Sequence, residues 1–385
     1  MNMNGHKIIK GITWDHPRGF APLRAAACQW RKRGDVEVRW EVRTLREFGD
    51  TPIEALIDRY DLVVIDHPYV GSAAANRLLA PLDEYTELME QQRRESVGPA
   101  FDSYWYDGHC WSLPVDAAAQ VAAWRKDLVD VLGWARPSAI LDMARAAAEL
   151  PDGKWMAVPL CPTDIWCVFL SLSALFSDGC FFTERGVDPA VGEWALAQIQ
   201  SWKAFLHRDS LGMNPIQALE HMASKDEIVY LPYTFGYTNY SRPGWRSRLV
   251  HFGESPRHAG ARPCTLMGGA GISISATTAY PNECLEFIRY VLSPEIQKGI
   301  YFHEQGQPAH ISSWLDPSND AACSGFFSAT LNTMRNAYVR PRPRGFNQFQ
   351  ERAAGHIHEA VVKDRPPKDA VMELNALYQN FVVNG

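Results

Sequence analysis

Two short turns carry the residue types best suited to chemistry in this chain. Asp15-His16 and Asp66-His67 are each followed by proline, and each pair comes directly after an apolar run. Two carboxylates and two imidazoles can contact a polar ligand, hold a divalent metal, or act as an acid and a base near neutral pH. The alternative is structural: each Asp caps the following element and each His closes the turn.

Both turns are positioned by predicted β-strands. Residues 7–14 form a short β run, and residues 61–65 form a nearly continuous β-branched run, typical of a strand covered on both faces. Ligands of open α/β sheets bind beyond the carboxyl ends of the strands, so we expect both turns at one cleft edge. If the strands are parallel neighbours, their ends lie roughly 5 to 10 Å apart. The predicted ligand contacts of this region are Trp14, Asp15, His16, Asp66, His67 and Tyr69.

The surrounding pattern predicts an α/β sheet. Residues 21–33 have helical spacing, and residues 36–42 alternate apolar and charged side chains as a half-buried strand does. Together with the two strands above, this gives a β-α-β order at the start of the chain. Residues 112–116 predict another short strand, and residues 325–383 predict helices with a break near the Arg-Pro pairs.

An aromatic segment follows the predicted strand at residues 228–232. Its rings Tyr233, Phe235 and Tyr237 can stack on a sugar ring or an aromatic acid, and we predict all three as ligand contacts. The alternative is a packed loop, because Tyr and Phe are also common in protein cores.

Gly268 and Gly269 open a glycine turn that runs into a strand. Such a turn permits close backbone approach or amide contacts to an anion, so we count both residues as a weak ligand site. No Gly-Lys-Ser/Thr follows, which excludes a P-loop, and the position before a strand excludes a dinucleotide fingerprint.

Cys161 lies just before an apolar segment with helical character. A helix N-terminus can activate a thiol as a nucleophile, and we predict a ligand contact for the nearby Thr163. The alternative is a cap, formed by Thr163 or Asp164, above a buried thiol.

Composition limits the class of protein. The 385 residues include 38 Lys and Arg against 44 Asp and Glu, for a net charge of −6, and 46% are hydrophobic. This balance predicts a globular protein that neither binds nucleic acid nor inserts into a membrane. No apolar leader is visible near the N-terminus, and the 8 Cys lack a metal or pairing pattern. We therefore predict a cytoplasmic, disulfide-free protein with no metal or other cofactor.

Several segments, taken in order, point to a known family. They are residues 8–14 with the turn at 34–38, then 60–66, 106–116, 124–127 with Gly133 and Pro137, 268–275, 280–283 and 292–297. Their joint order resembles the family 1 extracellular solute-binding proteins, the carbohydrate-type receptors of ABC importers. The resemblance covers about the whole chain, although each motif alone has little specificity.

The resemblance implies a two-lobe α/β fold, of the periplasmic-binding-protein type II, with a ligand cleft between the lobes. Lobe one is predicted to comprise residues 1–116 and 265–315, lobe two residues 117–264, and residues 316–385 a C-terminal helical segment packing across both. Asp116 stands where the family's chain crosses between lobes, and the segment at Gly268 lines the family's cleft. Gln307 and Arg340 complete the predicted ligand contacts, the latter as a partner for a carboxylate or as a tie between tail and lobe.

Two functions follow from these observations. The first is a receptor that binds a sugar or small organic acid, by resemblance the substrate-binding component of an ABC transporter with permease subunits as partners. The alternative is a cytoplasmic lyase, isomerase or hydrolase on the same fold, using His16, His67 and the carboxylates Asp15 and Asp66.

Overall fold

The computed structural model describes residues 7–50, 53–258 and 260–384. Residues 1–6, part of the stretch in which no leader was visible, lie outside the described residues. The chain forms two compact units. The first runs through Ala118 and adds Gly268–Asp320 and Arg342–Arg344, and the second comprises Ala119–Met267, Ala321–Pro341 and the chain from Gly345 onward. Most of the C-terminal segment from residue 316 onward thus belongs to the second unit. The predicted lobe boundaries stay predictions.

The strands and helices alternate along most of the described chain. The strands are β1 (Lys7–Trp14), β2 (Val36–Arg43), β3 (Leu62–Ile65), β4 (Trp105–Tyr106), β5 (His109–Cys110), β6 (Leu113–Trp124), β7 (Trp155–Met156), β8 (Phe182–Thr183), β9 (Gly186–Val187), β10 (Ile228–Phe235), β11 (His251–Gly253) and β12 (Met267–Ile274). The helices are α1 (Pro17–Trp30), α2 (Leu45–Asp50), α3 (Glu54–Ile57), α4 (Val70–Ala75), α5 (Thr86–Glu95), α6 (Lys126–Leu132), α7 (Met143–Ala148), α8 (Pro162–Ser177), α9 (Pro189–Trp202), α10 (Pro215–Ser224), α11 (Pro281–Leu292), α12 (Pro294–Ile296), α13 (Ile311–Trp314), α14 (Pro317–Ala322), α15 (Phe326–Arg335), α16 (Phe346–Val362) and α17 (Pro367–Tyr378).

The first unit is built on a sheet in the order β2-β1-β3-β12. β1 is parallel to both β2 and β3, whereas β12 is antiparallel to β3. β3 is buried along its whole length, as its β-branched sequence predicts for a strand covered on both faces. The helix α1 packs its Leu23 and Ala26 into the core beside this sheet.

The second unit is organised around β10 and the long helix α8. β10 is antiparallel to β6 and parallel to β7, and β11 pairs with β6. α8 is apolar around almost its whole circumference and buried from Asp164 to Leu175, as expected for a helix inside a core. The predicted helical tail is confirmed: α15, α16 and α17 follow one another, with the break before Phe346.

Two elements differ from their predicted bounds. α1 begins at Pro17 and not at residue 21, because His16 caps it and proline is well tolerated at the first helical position. The short strand predicted at residues 112–116 continues as β6 to Trp124, and every residue from Leu113 to Ala123 is buried. Burial among neighbouring elements stabilises this alanine-rich stretch as a strand despite the weak β-propensity of alanine.

None of the described helices combines the length and the apolar character that crossing a bilayer requires. The cysteines of this part of the chain, which include all eight, are free thiols.

Candidate functional site

The two Asp-His-Pro turns begin at the same edge of the first unit's sheet. In the parallel pair of β1 and β3, Gly11 lies opposite Leu62 and Ile12 lies opposite Val63. Continuing this register past the strand ends places Asp15 and His16 opposite Asp66 and His67. The prediction that the two strands are parallel neighbours is therefore confirmed.

In the first turn, the histidine is the helix cap. His16 Nδ1 accepts the N–H of Arg18 at 3.1 Å, and its side chain is buried, whereas Asp15 is exposed. The predicted Asp cap is therefore wrong for this turn. A neutral imidazole that accepts at Nδ1 carries its proton on Nε2, so this bond sets His16 as a donor through Nε2.

In the second turn, the aspartate is the cap, as predicted. Asp66 Oδ1 accepts the N–H of His67 at 2.8 Å at the start of the short helical turn His67–Tyr69. The same oxygen lies 3.0 Å from His67 Nδ1. His67 is fully buried, and its ring meets that of Tyr104 edge to face at 6.5 Å. The Asp66 side chain stays 24% exposed, so a carboxylate remains accessible at this edge.

Asp116, predicted as a ligand contact, forms a buried ion pair within the first unit. Its two oxygens accept from Arg18 Nε at 2.8 Å and from Arg18 Nη2 at 2.5 Å. The side chains are 1% and 5% exposed. Burial raises the pKa of Asp116 above its ordinary value, and the Arg18 charge partly offsets that rise. A bidentate pair of this kind occupies the carboxylate that the prediction assigned to a ligand.

Arg18 belongs to this region although it was not among the predicted site residues. A signal for it exists, because a cation in the first turn of α1 opposes the helix dipole and needs another reason to be there. Its ion pair with Asp116 supplies that reason.

The aromatic residues Trp14 and Tyr69 are packed in the first unit's cores. Trp14 is 5% exposed, its ring lies against Gly19, and its centroid is 5.2 Å from that of Phe48. Tyr69 is 9% exposed and lies in a cluster with Ile65. This packing favours a core role for both rings over stacking on a ligand.

The predicted glycine turn is wrong, because Gly268 and Gly269 lie within β12, where close packing in the first unit explains the glycines. Gly269 has a φ of +114°, and a Cβ there would lie 2.5 Å from the Asp116 carbonyl oxygen. Gln307, another predicted contact, donates from Nε2 to the Ala117 carbonyl at 2.8 Å. Gly268, which precedes Gly269 in β12, is buried. A glycine is required at position 269 whether or not a ligand binds nearby.

The strand predicted at residues 228–232 continues as β10 to Phe235, so Tyr233 and Phe235 belong to the strand and only Tyr237 follows it. Tyr233 is fully buried, stacks on Trp202 at 5.7 Å, and donates its hydroxyl proton to the Pro256 carbonyl. It is thus a core residue of the second unit. Phe235 is half-buried at the end of β10, and Tyr237 is 8% exposed in the turn that follows.

The polar side chains beside Tyr237 were overlooked. Thr238, Asn239 and Ser241 are at most 1% exposed, and burial lowers the pKa of the neighbouring Arg242 to about 10. Polar residues stand between the aromatic residues of this segment in the sequence, but only the aromatic residues were predicted as ligand contacts.

The remaining predicted contacts of the second unit are separate from this turn in sequence. Thr163 is exposed in the first turn of α8. Arg340 is 6% exposed and donates from Nη1 to Gln350 Oε1 at 3.4 Å. Both residues lie in the predicted C-terminal segment, so the two roles predicted for Arg340 stay predictions.

Cys161 occupies the N-cap position of α8, and the predicted cap at Thr163 or Asp164 is wrong because both residues lie inside the helix. The environment of the Cys161 thiol contradicts the predicted nucleophile. Burial, together with the adjacent Asp164 carboxyl, raises the pKa of the thiol to about 12. Its Sγ donates to Asp164 Oδ2 at 3.0 Å. The thiol therefore stays protonated near neutral pH, where a nucleophile needs the thiolate.

Alkylation rates test this assignment. At pH 8, we expect iodoacetamide to label the exposed Cys28 and Cys180 promptly, and Cys161 no faster than the buried Cys284. Peptide mass spectrometry over a time course measures all four sites in one sample. Labelling of Cys161 at the rate of Cys28 would contradict the raised pKa.

The side chains that could hold a metal ion lie away from the two Asp-His-Pro turns. Among the described His, Cys, Asp and Glu residues, the side chains that converge closely enough to hold an ion are His207, His221 and Glu227, in the second unit. In the two turns, His16 Nδ1 and Asp66 Oδ1 serve as caps instead.

Comparison with known proteins identifies the family. The family model described as bacterial extracellular solute-binding protein matches residues 53–307. The match covers most of the chain and includes the second Asp-His-Pro turn, β6, α8 and β10.

The chain belongs to this family.

Solved structures share its fold over nearly the full length. An ABC transporter solute-binding protein from Agrobacterium radiobacter in complex with ribitol is 19% identical, with 96% of this chain and 97% of that chain covered and a TM-score of 0.83. Maltose-bound MalE3 of T. maritima is 16% identical, with 97% of this chain and 100% of that chain covered and a TM-score of 0.84. UgpB of Mycobacterium tuberculosis in complex with glycerophosphocholine is 15% identical, with 98% of this chain and 98% of that chain covered and a TM-score of 0.80. The predicted two-lobe α/β fold of the periplasmic-binding-protein type is confirmed.

Family membership confirms the predicted solute-binding protein and its small-molecule ligand, and it lends no support to the enzyme alternative. It also corrects the predicted compartment. The cytoplasmic location is wrong, because the family is extracellular. That prediction rested on two absences, an apolar leader and a cysteine pairing pattern, and neither absence determines where a protein works.

Proposed function

We propose that this solute-binding protein binds a polyhydroxylated solute, a sugar or polyol, as the receptor of an ABC importer. Permease subunits of that importer are its proposed partners. Support comes from the family and from solved neighbours of the same fold that hold ribitol, maltose or tagatose. In the first unit, we assign the solute contacts to the turns after β1 and β3.

The register of β1 and β3 is the observation that carries this assignment. It brings two aspartates and two histidines to one sheet edge, where ligands of α/β folds bind. Asp15 is exposed and Asp66 is partly exposed, so their carboxylates can accept hydrogen bonds from sugar hydroxyls. The caps made by His16 and Asp66 hold the turns rigid, which reduces the entropy lost on binding.

In the second unit, we assign solute contacts to Phe235, which is half-buried at the end of β10, and to Tyr237, which is 8% exposed in the turn that follows. Their aromatic faces can stack on a sugar ring, whereas the neighbouring Thr238 and Asn239 are fully buried. Tyr233 is left out of this set because its ring is fully enclosed.

A thermal-shift panel tests the proposed ligand class. The full chain is heated with ribitol, maltose, tagatose, glycerophosphocholine, or a small organic acid such as succinate. We expect a polyhydroxylated compound to raise the melting temperature, because a solute at a hundred times its Kd adds about 2.7 kcal/mol to stability. A response to succinate alone, or to no member of the panel, would refute the proposal.

Substitution in the first turn tests the assigned contacts. Asp15→Asn should weaken binding of the solute found in the panel by roughly 10- to 100-fold, since a hydrogen bond to a charged group contributes about 1.5 to 3 kcal/mol. Asp58→Asn, another exposed aspartate of the same unit, is the matched control and should bind as the wild type does. Calorimetry measures both. Equal affinity of the two variants would remove Asp15 from the site.

A further inference from the structure

Three potential metal ligands converge on the second unit, away from the residues assigned to the solute. His207 follows α9, His221 lies in α10, and Glu227 immediately precedes β10. His221 Nε2 is 2.8 Å from Glu227 Oε2, and His207 Nε2 is 3.8 Å from the same oxygen. One ligand atom from each side chain lies within 4.8 Å of the other two.

We propose that these three side chains form a zinc site. In a tetrahedral site with bonds of roughly 2.0 to 2.1 Å, ligand atoms are about 3.3 Å apart. The distances of the two histidine nitrogens from Glu227 Oε2 lie on either side of that value, so shifts of about half an ångström bring each nitrogen to the tetrahedral separation from that oxygen.

The two imidazoles are held in place by the fold. The backbone N–H of His207 donates to the Met156 carbonyl at 2.8 Å. The His207 ring meets the rings of Trp155 and His221 edge to face, with centroids 6.2 and 5.1 Å apart. The side chains of His207 and His221 are 7% and 10% exposed. A site with its ligands already positioned pays less entropy on binding the ion.

The Glu227 side chain is 53% exposed, so the site faces solvent on one side. With three protein ligands, a water molecule would complete the tetrahedron. Two imidazoles and one carboxylate favour zinc over magnesium or calcium, which prefer sites made of oxygen atoms alone.

Asp209 is positioned to orient His207. Its carboxylate Oδ2 lies 3.8 Å from His207 Nδ1, and its N–H donates to that nitrogen at 3.3 Å in the ion-free arrangement. When Nε2 binds zinc, the ring proton moves to Nδ1, where the Asp209 carboxylate can accept it. Carboxylates in this position commonly fix the ring of a metal-binding histidine.

The ion would connect three elements of the second unit. It would join the turn after α9, the helix α10 and the beginning of β10, which span residues 207–227. Zinc binding should therefore stabilise this unit, because the ion binds the folded arrangement and not the unfolded chain.

Zinc titration of the full chain, stripped with a chelator beforehand, tests the proposal. Competition with a chromogenic chelator should give one zinc per chain, with a Kd below about 10 µM and no displacement by millimolar magnesium. Glu227→Gln, which preserves the side-chain shape, and His221→Ala should each weaken binding at least tenfold. Asp209→Asn should weaken it by a smaller factor if it acts through His207.

His109→Ala is the matched control, because His109 is an exposed histidine paired with Asp83 in the first unit. It should bind zinc as the wild type does. The absorption spectrum of the cobalt-substituted protein gives a second measurement, since tetrahedral cobalt absorbs strongly in the visible range and the band should vanish in Glu227→Gln. Unchanged affinity in Glu227→Gln and His221→Ala, or no binding at tens of micromolar zinc, would overturn the proposal.

Discussion

Asp116→Ala should lower the free energy of unfolding by about 3 to 5 kcal/mol. The variant leaves the Arg18 guanidinium buried after removing the carboxylate that accepts two of its N–H groups. Removing one partner of a buried pair is costly because the charge that remains has lost its compensation and has little access to water. Urea denaturation of the whole chain, followed by circular dichroism, measures the change.

An exposed ion pair provides the control. Lys126 and Asp130 are both more than half exposed, so Asp130→Ala should change the stability by less than about 1 kcal/mol. Replacing both Arg18 and Asp116 by apolar residues of similar volume should recover part of the loss. A loss below about 1 kcal/mol for Asp116→Ala would contradict the importance of the pair.

Asp164→Asn should stabilise the protein at pH 8 and have little effect near pH 4. Burial raises the pKa of Asp164 to about 7 from its ordinary 3.8, so the folded chain keeps a proton that the unfolded chain has released. Between these two pH values, the free energy of unfolding of the wild type falls as the pH rises, by up to about 4 kcal/mol in all. The amide of the variant is neutral throughout and avoids this loss.

Melting temperatures of the wild type and Asp164→Asn, recorded in steps between pH 4 and pH 8, test the prediction. The difference in favour of the variant should grow with pH and level off above about pH 7. Asp152→Asn, an exposed aspartate of the same unit, should show no such trend. A constant difference across the range would mean that Asp164 ionises at its ordinary pKa.

Local pattern was sufficient to predict the strands that carry the proposed site. The run before each Asp-His pair is apolar and β-branched, and proline ends the strand, so β1 and β3 were predicted without any knowledge of contacts. The alanine-rich part of β6 could not be predicted in this way. Its conformation comes from burial along its length, which depends on segments distant in sequence.

The roles of individual side chains were harder to predict than their positions. Either residue of an Asp-His pair can cap, and the structure uses His16 in one turn and Asp66 in the other. Arg18 and Asp116 are 98 residues apart, so nothing near either one reveals the pair. The core position of Tyr233 in β10 depends in the same way on Trp202, which lies in α9.

NMR spectra of the histidine side chains test most directly the claim that the solute is held at the two turns. In ¹⁵N-labelled protein, the ring resonances of His16 and His67 are assigned by substitution and followed while the tightest-binding solute of the panel is added. We expect the ring resonances of His16 and His67 to shift in proportion to the saturation of the protein with solute. The ring resonances of His109, which pairs with Asp83 on the surface, should stay in place. If the ring resonances of His16 and His67 both stay in place when the protein is saturated with solute, the claim that the two turns hold the solute is wrong.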